Sequence, residues 1–206
     1  NLLCCHGPTI DWKELETFES ISSNKSDTYR SSFGYLGRLE LALYFRELEL
    51  AERMSTALQP YMSHEAQYVI VVKNIFYSGL TFSGLARKRR GSARQYRLKA
   101  SKLLKIMEKH CRTKGLNPLH KSLIMKADLL ACHSRDVQEV GRAYDQGIEA
   151  ALKISFIQDA ALASELAGEY FMLHDQDKAR HYFCQAQHLY SEVSKMDSSY
   201  FCELIE

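Results

Sequence analysis

The sequence is poor in the residues that interrupt helices. Its 206 residues include only three prolines and ten glycines, so most of the length is compatible with helix. It also lacks a run of the roughly 18 apolar residues that a membrane-spanning helix requires, because Lys73 and Asn74 interrupt the apolar stretch that begins at Tyr68. We therefore expect a helical protein without a membrane span.

Neither the net charge nor the spacing of the cysteines points to a binding or metal site. The formal net charge is only +2, so there is no broad basic field of the kind that attracts nucleic acid, and we expect no nucleic-acid partner. The six cysteines are scattered without the spacing of a disulfide framework, and Cys4, Cys5 and His6 lack a fourth ligand that would complete a metal site. We expect a reduced, cytoplasmic setting with no metal and no cofactor.

Apolar residues recur every three or four positions from Asp11 onward, which predicts an all-α protein of about nine or ten antiparallel helices. The pattern predicts a break near Arg46, a stop at Pro60, and a new helix that Asp136 begins. In the basic turn 87–91, Gly91 is expected to supply a positive φ. The predicted organisation is an extension with a short helix at 1–32, a helical repeat domain at 33–195, and a tail or short helix at 196–206.

A repeat pattern is clearest in the last third of the chain. Large, small and aromatic residues recur at the spacing of the helix-turn-helix tetratricopeptide (TPR) repeat. Small side chains mark where two helices approach most closely, and larger ones fill the space between them. The match weakens 39 residues earlier, so we predict an irregular, TPR-like α-α superhelix. The pattern consists of Leu166, Ala167 and Tyr170 in one helix and Ala179, Phe183 and Ala186 in the next.

The segment 144–190 resembles a more specific family. It is similar to the helical region that follows the ATPase module in large multidomain signalling ATPases, which are AAA/STAND-type predicted ATPases fused to kinase, histidine kinase or cyclase domains. The resemblance covers roughly 33–190 and implies a regulatory scaffold, with no catalytic residue carried over. It is borne by Tyr144-Asp-Gln-Gly-Ile-Glu-Ala-Ala, Phe156-Ile-Gln-Asp-Ala-Ala-Leu-Ala-Ser-Glu-Leu-Ala-Gly-Glu-Tyr170, Ala179-Arg-His-Tyr-Phe183, and upstream by Phe76-Tyr-Ser-Gly-Leu80 and Leu119-His-Lys121.

The stretch 79–86 has part of a nucleotide-binding motif. Gly79 and Gly84 have the glycine spacing of a phosphate loop, but Leu85 and Ala86 stand where the motif needs lysine and a hydroxyl residue. We interpret the stretch as a helix with two small packing positions.

Two surfaces are candidates for binding a partner protein. TPR register predicts an apolar groove, although burial by the next turn of the superhelix would explain the same pattern. The basic turn is either a solvated loop or a contact for an acidic surface. The predicted groove residues are Met125, Leu129, Ala161, Ser164, Phe171 and Met172, and the predicted basic patch is Arg87, Lys88, Arg89 and Arg90.

These features favour a non-catalytic scaffold for protein–protein interaction or intramolecular regulation within a signalling ATPase. The alternative is a stand-alone structural or adaptor subunit of a larger complex. An all-α enzyme is the third option, and no serine or cysteine lies in a motif that would mark a nucleophile.

Overall fold

The structure is a computed structural model that describes residues 28–62, 68–113 and 118–203. Within these ranges the structure describes the side chains of all residues except 28–30, 90 and 196–203. The described residues are all-helical and contain no strand, as predicted. They form eight α-helices: α1 Thr28–Tyr44, α2 Leu48–Leu58, α3 Tyr68–Lys88, α4 Ala93–Thr113, α5 Leu119–Leu130, α6 Val137–Lys153, α7 Ile157–Phe171 and α8 Gln176–Glu203.

The described residues contain slightly fewer helices than the nine or ten predicted for the chain. The expected short helix after residue 195 is the continuation of α8, which runs to Glu203 without a break. The expected helix near Trp12 lies outside the described residues. Helices also cross both predicted domain boundaries, since α1 begins at Thr28, before residue 33, and α8 extends beyond residue 195.

The break between α1 and α2 falls at Arg46, as predicted. Arg46 has φ 60°, and the amide of Glu47 donates to the carbonyl of Ala42 at 2.8 Å. This hydrogen bond belongs to the Schellman ending, in which one left-handed residue reverses the chain after a helix. Ser155, after α6, repeats the same geometry with φ 60°. Both turns use a residue with a side chain at a position that usually favours glycine.

The prediction for Gly91 is wrong. Among the described residues no glycine has a positive φ, and Gly91 lies instead in a single 3-10 turn, Arg90–Ser92. The amide of Ser92 donates to the carbonyl of Arg89 at 3.1 Å. Because this turn keeps right-handed helical backbone between α3 and α4, no left-handed residue is needed there.

The start of α6 confirms the predicted role of Asp136. Its side chain accepts hydrogen bonds from the amides of Gln138 at 2.9 Å and Glu139 at 3.0 Å. Two of the free amides at the helix N-terminus are thereby satisfied by one carboxylate, which also interacts favourably with the helix dipole.

The helices stack in chain order. Each helix contacts the next, and the odd-numbered helices also contact one another in the series α1, α3, α5, α7. Connections of three to six residues join several of these neighbours, which makes them antiparallel. One continuous apolar core runs through the stack, from Leu39 in α1 to Leu189 in α8. The odd-numbered helices therefore have their carboxyl ends at one edge of the protein.

Small residues allow the closest contacts between helices. Ala167, Ala179 and Ala186 are all buried, as expected of positions that mark close packing. The tightest approach, however, involves glycine. A Cβ atom on Gly147 in α6 would lie 3.2 Å from the backbone nitrogen of Ile124 in α5, which places the two backbones in direct contact.

This contact leads to a matched pair of predictions. Gly147→Ala should destabilise the protein. Overpacking of the helix contact costs about 1–3 kcal/mol, whereas the higher helix propensity of alanine stabilises the helix by at most about 1 kcal/mol. Gly79→Ala should be neutral or stabilising. A Cβ atom there would meet only the flexible side chain of Met125, and the one atom that is too close is its terminal methyl group, which can rotate away. Urea unfolding of both variants tests the difference, and equal stabilities would mean that α5 and α6 are not in backbone contact.

Candidate functional site

A cleft of about 600 Å³ lies where the carboxyl ends of the odd-numbered helices meet. Its deepest residues are apolar and buried, and they come from three different helices: Leu43, Leu80 and Leu166. Polar and charged side chains surround this apolar base. They include Arg46, Arg87, Lys88, His133, Glu169 and His174. An apolar base with a polar boundary is typical of a site that binds a ligand or a segment of a partner protein.

Arg46 joins the first helix pair to the last. From the turn after α1, its Nε donates to Glu169 in α7, and its Nη2 lies 3.3 Å from Glu165 Oε1 in the same helix. Burial alone would lower the pKa of Arg46, but the two carboxylates raise it above its usual value. The left-handed turn that reverses the chain therefore also places this guanidinium at one wall of the cleft.

A ring contact reinforces the same junction. The rings of Tyr44 in α1 and Tyr190 in α8 lie edge to face, with centroids 6.4 Å apart. The hydroxyl of Tyr190 donates to Glu165 at 2.9 Å. The first and last helix pairs are thus joined by charged and aromatic side chains from distant parts of the sequence, with Arg46 and Glu169 separated by 123 positions.

Two histidines occupy equivalent turns on the cleft. His133 follows α5 and His174 follows α7, and each ring Nδ1 lies within 2.9 Å of the backbone carbonyl four residues earlier. A carbonyl only accepts, so Nδ1 carries the proton and donates. With Nδ1 donating, Nε2 of each ring is left as an acceptor for a bound partner.

The basic turn is tied to the protein's own carboxylates. Arg87 pairs with Asp128 at 2.7 Å, while Lys88 and Arg89 pair with Glu49 at 3.1 and 3.2 Å. The hydrogen bond from Lys88 lowers the pKa of the Glu49 carboxyl. The side chain of Arg90 lies outside the described residues. Docking of an acidic surface here stays a prediction, and only Arg87 and Lys88 of this group line the cleft.

The residues predicted to form a groove are not side by side on one open surface. Met125, Ala161, Ser164 and Phe171 are buried, Leu129 is half-buried, and Met172 is 56% exposed. None of the six lines the cleft. Their role in binding stays a prediction, and the open surface that could serve it is found at Met172 and Leu129.

A buried charged cluster was not foreseen from the sequence. Asp159 in α7 accepts hydrogen bonds from Nζ of Lys121 and from Nε2 of His120 at 2.8 Å, both in α5. Burial alone would raise the pKa of Asp159, but the hydrogen bond from His120 and the charge of Lys121 lower it below its usual value. Lys121 Nζ also lies 4.3 Å from the centre of the Phe76 ring. The cluster is enclosed, with side-chain exposures of 3 to 7%.

The cluster continues towards α1 through α3. Lys73 Nζ lies 3.3 Å from Glu40 Oε2, and the hydroxyl of Tyr77 donates to the same carboxylate. Polar side chains therefore join α1 to α3 and α5 to α7, and Lys121 lies against the Phe76 ring of α3 between the two pairs. Sequence spacing carries no signal for this arrangement, because the partners lie on separate helices.

The interpretation of Gly79 and Gly84 as packing positions is confirmed. Both lie within α3 and are buried, and a Cβ atom on Gly84 would lie 3.0 Å from Leu48. Among the described residues no group of three or more His, Cys, Asp or Glu is placed to hold a metal ion. Cys4, Cys5 and His6 lie outside the described residues.

The helical setting of this stretch predicts that the chain alone does not bind ATP. A phosphate loop needs free backbone amides and a lysine that reaches the phosphates, whereas here the backbone is part of α3 and Leu85 and Ala86 follow. Titration calorimetry with Mg-ATP should show no heat above dilution. Saturable binding at micromolar ATP would contradict both the prediction and the scaffold interpretation.

One helix of the described chain, α3, is long and apolar enough to cross a membrane, and 83% of its apolar window is buried inside the protein. The expectation of no membrane span stays a prediction.

In comparisons with known proteins, no family model, no curated protein and no solved structure matches this chain. The similarity to signalling ATPases therefore remains an expectation from the sequence.

Proposed function

We propose that this chain is a non-catalytic, TPR-like α-α superhelix that holds a segment of a partner protein. The observation that carries the proposal is the cleft of about 600 Å³, because four helix ends supply an apolar base and a polar boundary. The contacts among α1, α3, α5 and α7 support the superhelical arrangement. Such an array supplies shape and surface rather than chemistry.

The setting that we propose for this scaffold is a large signalling ATPase, in which the array binds another domain and regulates it. The alternative is a stand-alone adaptor subunit of a larger complex. Sequencing the complete open reading frame separates the two, because a phosphate-loop ATPase module in the same frame supports the first setting. A frame that encodes the array alone supports the second.

Photo-crosslinking tests the cleft directly. A photoreactive amino acid replaces Leu173, which is 86% exposed on the cleft, or His133 on the neighbouring turn. Leu152 on α6, exposed but outside the cleft, is the matched control. In extracts of the source cells, the two cleft positions should give one discrete product that the control does not give.

Competition makes the result specific. An excess of unlabelled protein should remove the product, whereas an unlabelled Leu173→Asp, His133→Ala double variant should not. Equal products from all three positions, or none from the cleft, would overturn the proposal.

A further inference from the structure

Another cavity, of about 300 Å³, lies at the edge of the stack opposite the cleft, where α3, α5 and α7 begin. Tyr68, Val72 and Pro118 form apolar and aromatic parts of its wall. Val69 and Phe156 also line it, and both are exposed, so they border its opening. A volume of this size is at the lower end of the range for ligand-binding cavities, which suits a small molecule.

One buried polar atom on this wall has no hydrogen-bond partner. His120 lines the cavity and is 3% exposed, and its Nε2 donates to Asp159 at 2.8 Å. With Nε2 donating, Nδ1 is left as an acceptor. Nδ1 is buried, and no group of the described residues donates to it. Asp159 does not line the cavity, so Nδ1 is the ring nitrogen that remains for a ligand in the cavity. A donor there would remove the cost of an unsatisfied buried acceptor.

Aromatic rings and balanced charges define the body of the ligand. The rings of Phe156 and His120 are 4.7 Å apart, and Lys121 Nζ lies 5.6 Å from the centre of the Phe156 ring. Lys121 and Lys73 both line the cavity, and each is paired with a carboxylate outside it. These pairs leave no net charge that a ligand must neutralise. An aromatic ring packs well against other rings, and the indole ring is the best partner for a cation.

We propose that this cavity binds a small, neutral aromatic molecule of the indole type, whose N–H donates to His120 Nδ1 while its ring packs against Phe156 and Lys121. The inference goes beyond the proposed scaffold function, because it adds a small-molecule site at the edge opposite the cleft. The cavity is formed by α3, α5 and the turn before α7, and these helices contact one another in the stack. A bound ligand should therefore raise the melting temperature of the protein.

Two probes of the same shape test the hydrogen bond, because indole has an N–H donor where benzofuran has an ether oxygen. In titration calorimetry, wild-type protein should bind indole more tightly than benzofuran by roughly three- to tenfold, the net contribution of one hydrogen bond. NMR of protein labelled with 15N-histidine gives a direct readout on wild type. Indole should move the Nδ1 resonance of His120 to lower frequency, as for a nitrogen that accepts a hydrogen bond, and benzofuran should not.

Three variants locate the binding. His120→Gln keeps an N–H donor for Asp159 and removes Nδ1, so the preference for indole should disappear while benzofuran still binds. Val69→Trp changes an exposed residue and fills the opening, so neither probe should bind. Leu98→Trp on α4, exposed and outside the cavity, is the matched control and should bind both probes as wild type does.

Several results would overturn the proposal. If neither probe binds, the cavity holds water only. If benzofuran binds as tightly as indole, or if the Nδ1 resonance does not move, His120 does not recognise the ligand. If Val69→Trp and Leu98→Trp bind indole equally, the binding site lies elsewhere.

Two further measurements separate a free ligand from a tryptophan side chain. N-acetyltryptophanamide carries a peptide backbone on the indole ring, and tighter binding of this probe than of indole would mean that the site takes a tryptophan of a protein. Trp12, the single tryptophan of the chain, lies outside the described residues. If indole binds only after Trp12→Ala, the chain's own tryptophan fills the cavity and the proposal is wrong.

Discussion

Replacing Asp159 by asparagine should lower the free energy of unfolding by about 3–5 kcal/mol, the cost of breaking one side of a buried ion pair. Asparagine keeps the volume of the side chain and removes its charge. Lys121, whose side chain is 7% exposed, would then keep an ammonium group inside the protein without its bonded carboxylate. Urea unfolding followed by circular dichroism at pH 7 measures the loss.

A double variant shows whether charge is the cause. With Lys121→Met added to Asp159→Asn, no unpaired charge remains in the interior, so most of the lost stability should return. A single Asp159→Asn variant that loses less than about 1 kcal/mol would contradict the geometry, because that is the range of exposed pairs.

The same pair predicts a pH dependence. The folded-state pKa of Asp159 lies below its ordinary value, which is about 3.9 in an unfolded chain. A carboxyl with a lowered pKa contributes stability that is fully present above the unfolded value and is lost as the pH falls through the folded value. Wild-type stability should therefore fall more steeply below pH 4 than that of the double variant. Parallel curves would mean that Asp159 does not titrate in this way.

Helices were predictable because their signals are local. Apolar spacing located the helices on both sides of Arg46, and Asp136 identified the start of α6. Gly91 was misjudged because a glycine after a helix permits a left-handed residue without requiring one. The two left-handed positions of the described chain are Arg46 and Ser155 instead, and neither residue type favours that conformation.

The candidate sites were hidden because their residues are distant in sequence. His120 and Asp159 are separated by 39 positions, and Arg46 and Glu169 by 123. Each residue taken alone has the spacing of an ordinary helix face. Only the stacking of the odd-numbered helices brings them together, and no local pattern reports which turn of one helix will lie against which turn of another.

The basic turn contains both a buried, structural charge and exposed surface charges, and mutation can tell them apart. Arg87→Gln should lower the free energy of unfolding by about 3 kcal/mol, since Asp128 is 0% exposed and would lose its counter-charge. The guanidinium donates to Asp128 Oδ1 at 2.7 Å and to its backbone carbonyl at 3.2 Å. The hydroxyl of Tyr144 donates to the same Oδ1 at 2.9 Å, so the buried carboxylate would keep one neutral partner.

The neighbouring charges are the matched control. Lys88→Gln and Arg89→Gln remove pairs with Glu49 that face solvent, and the melting temperature should hardly change. If the turn docks an acidic partner, these two variants should slow its association, most clearly at low salt. Arg87→Gln would instead weaken capture through loss of folded protein. If Arg87→Gln leaves the melting temperature unchanged, Arg87 is a surface charge like Lys88 and Arg89. The turn would then act as one basic patch.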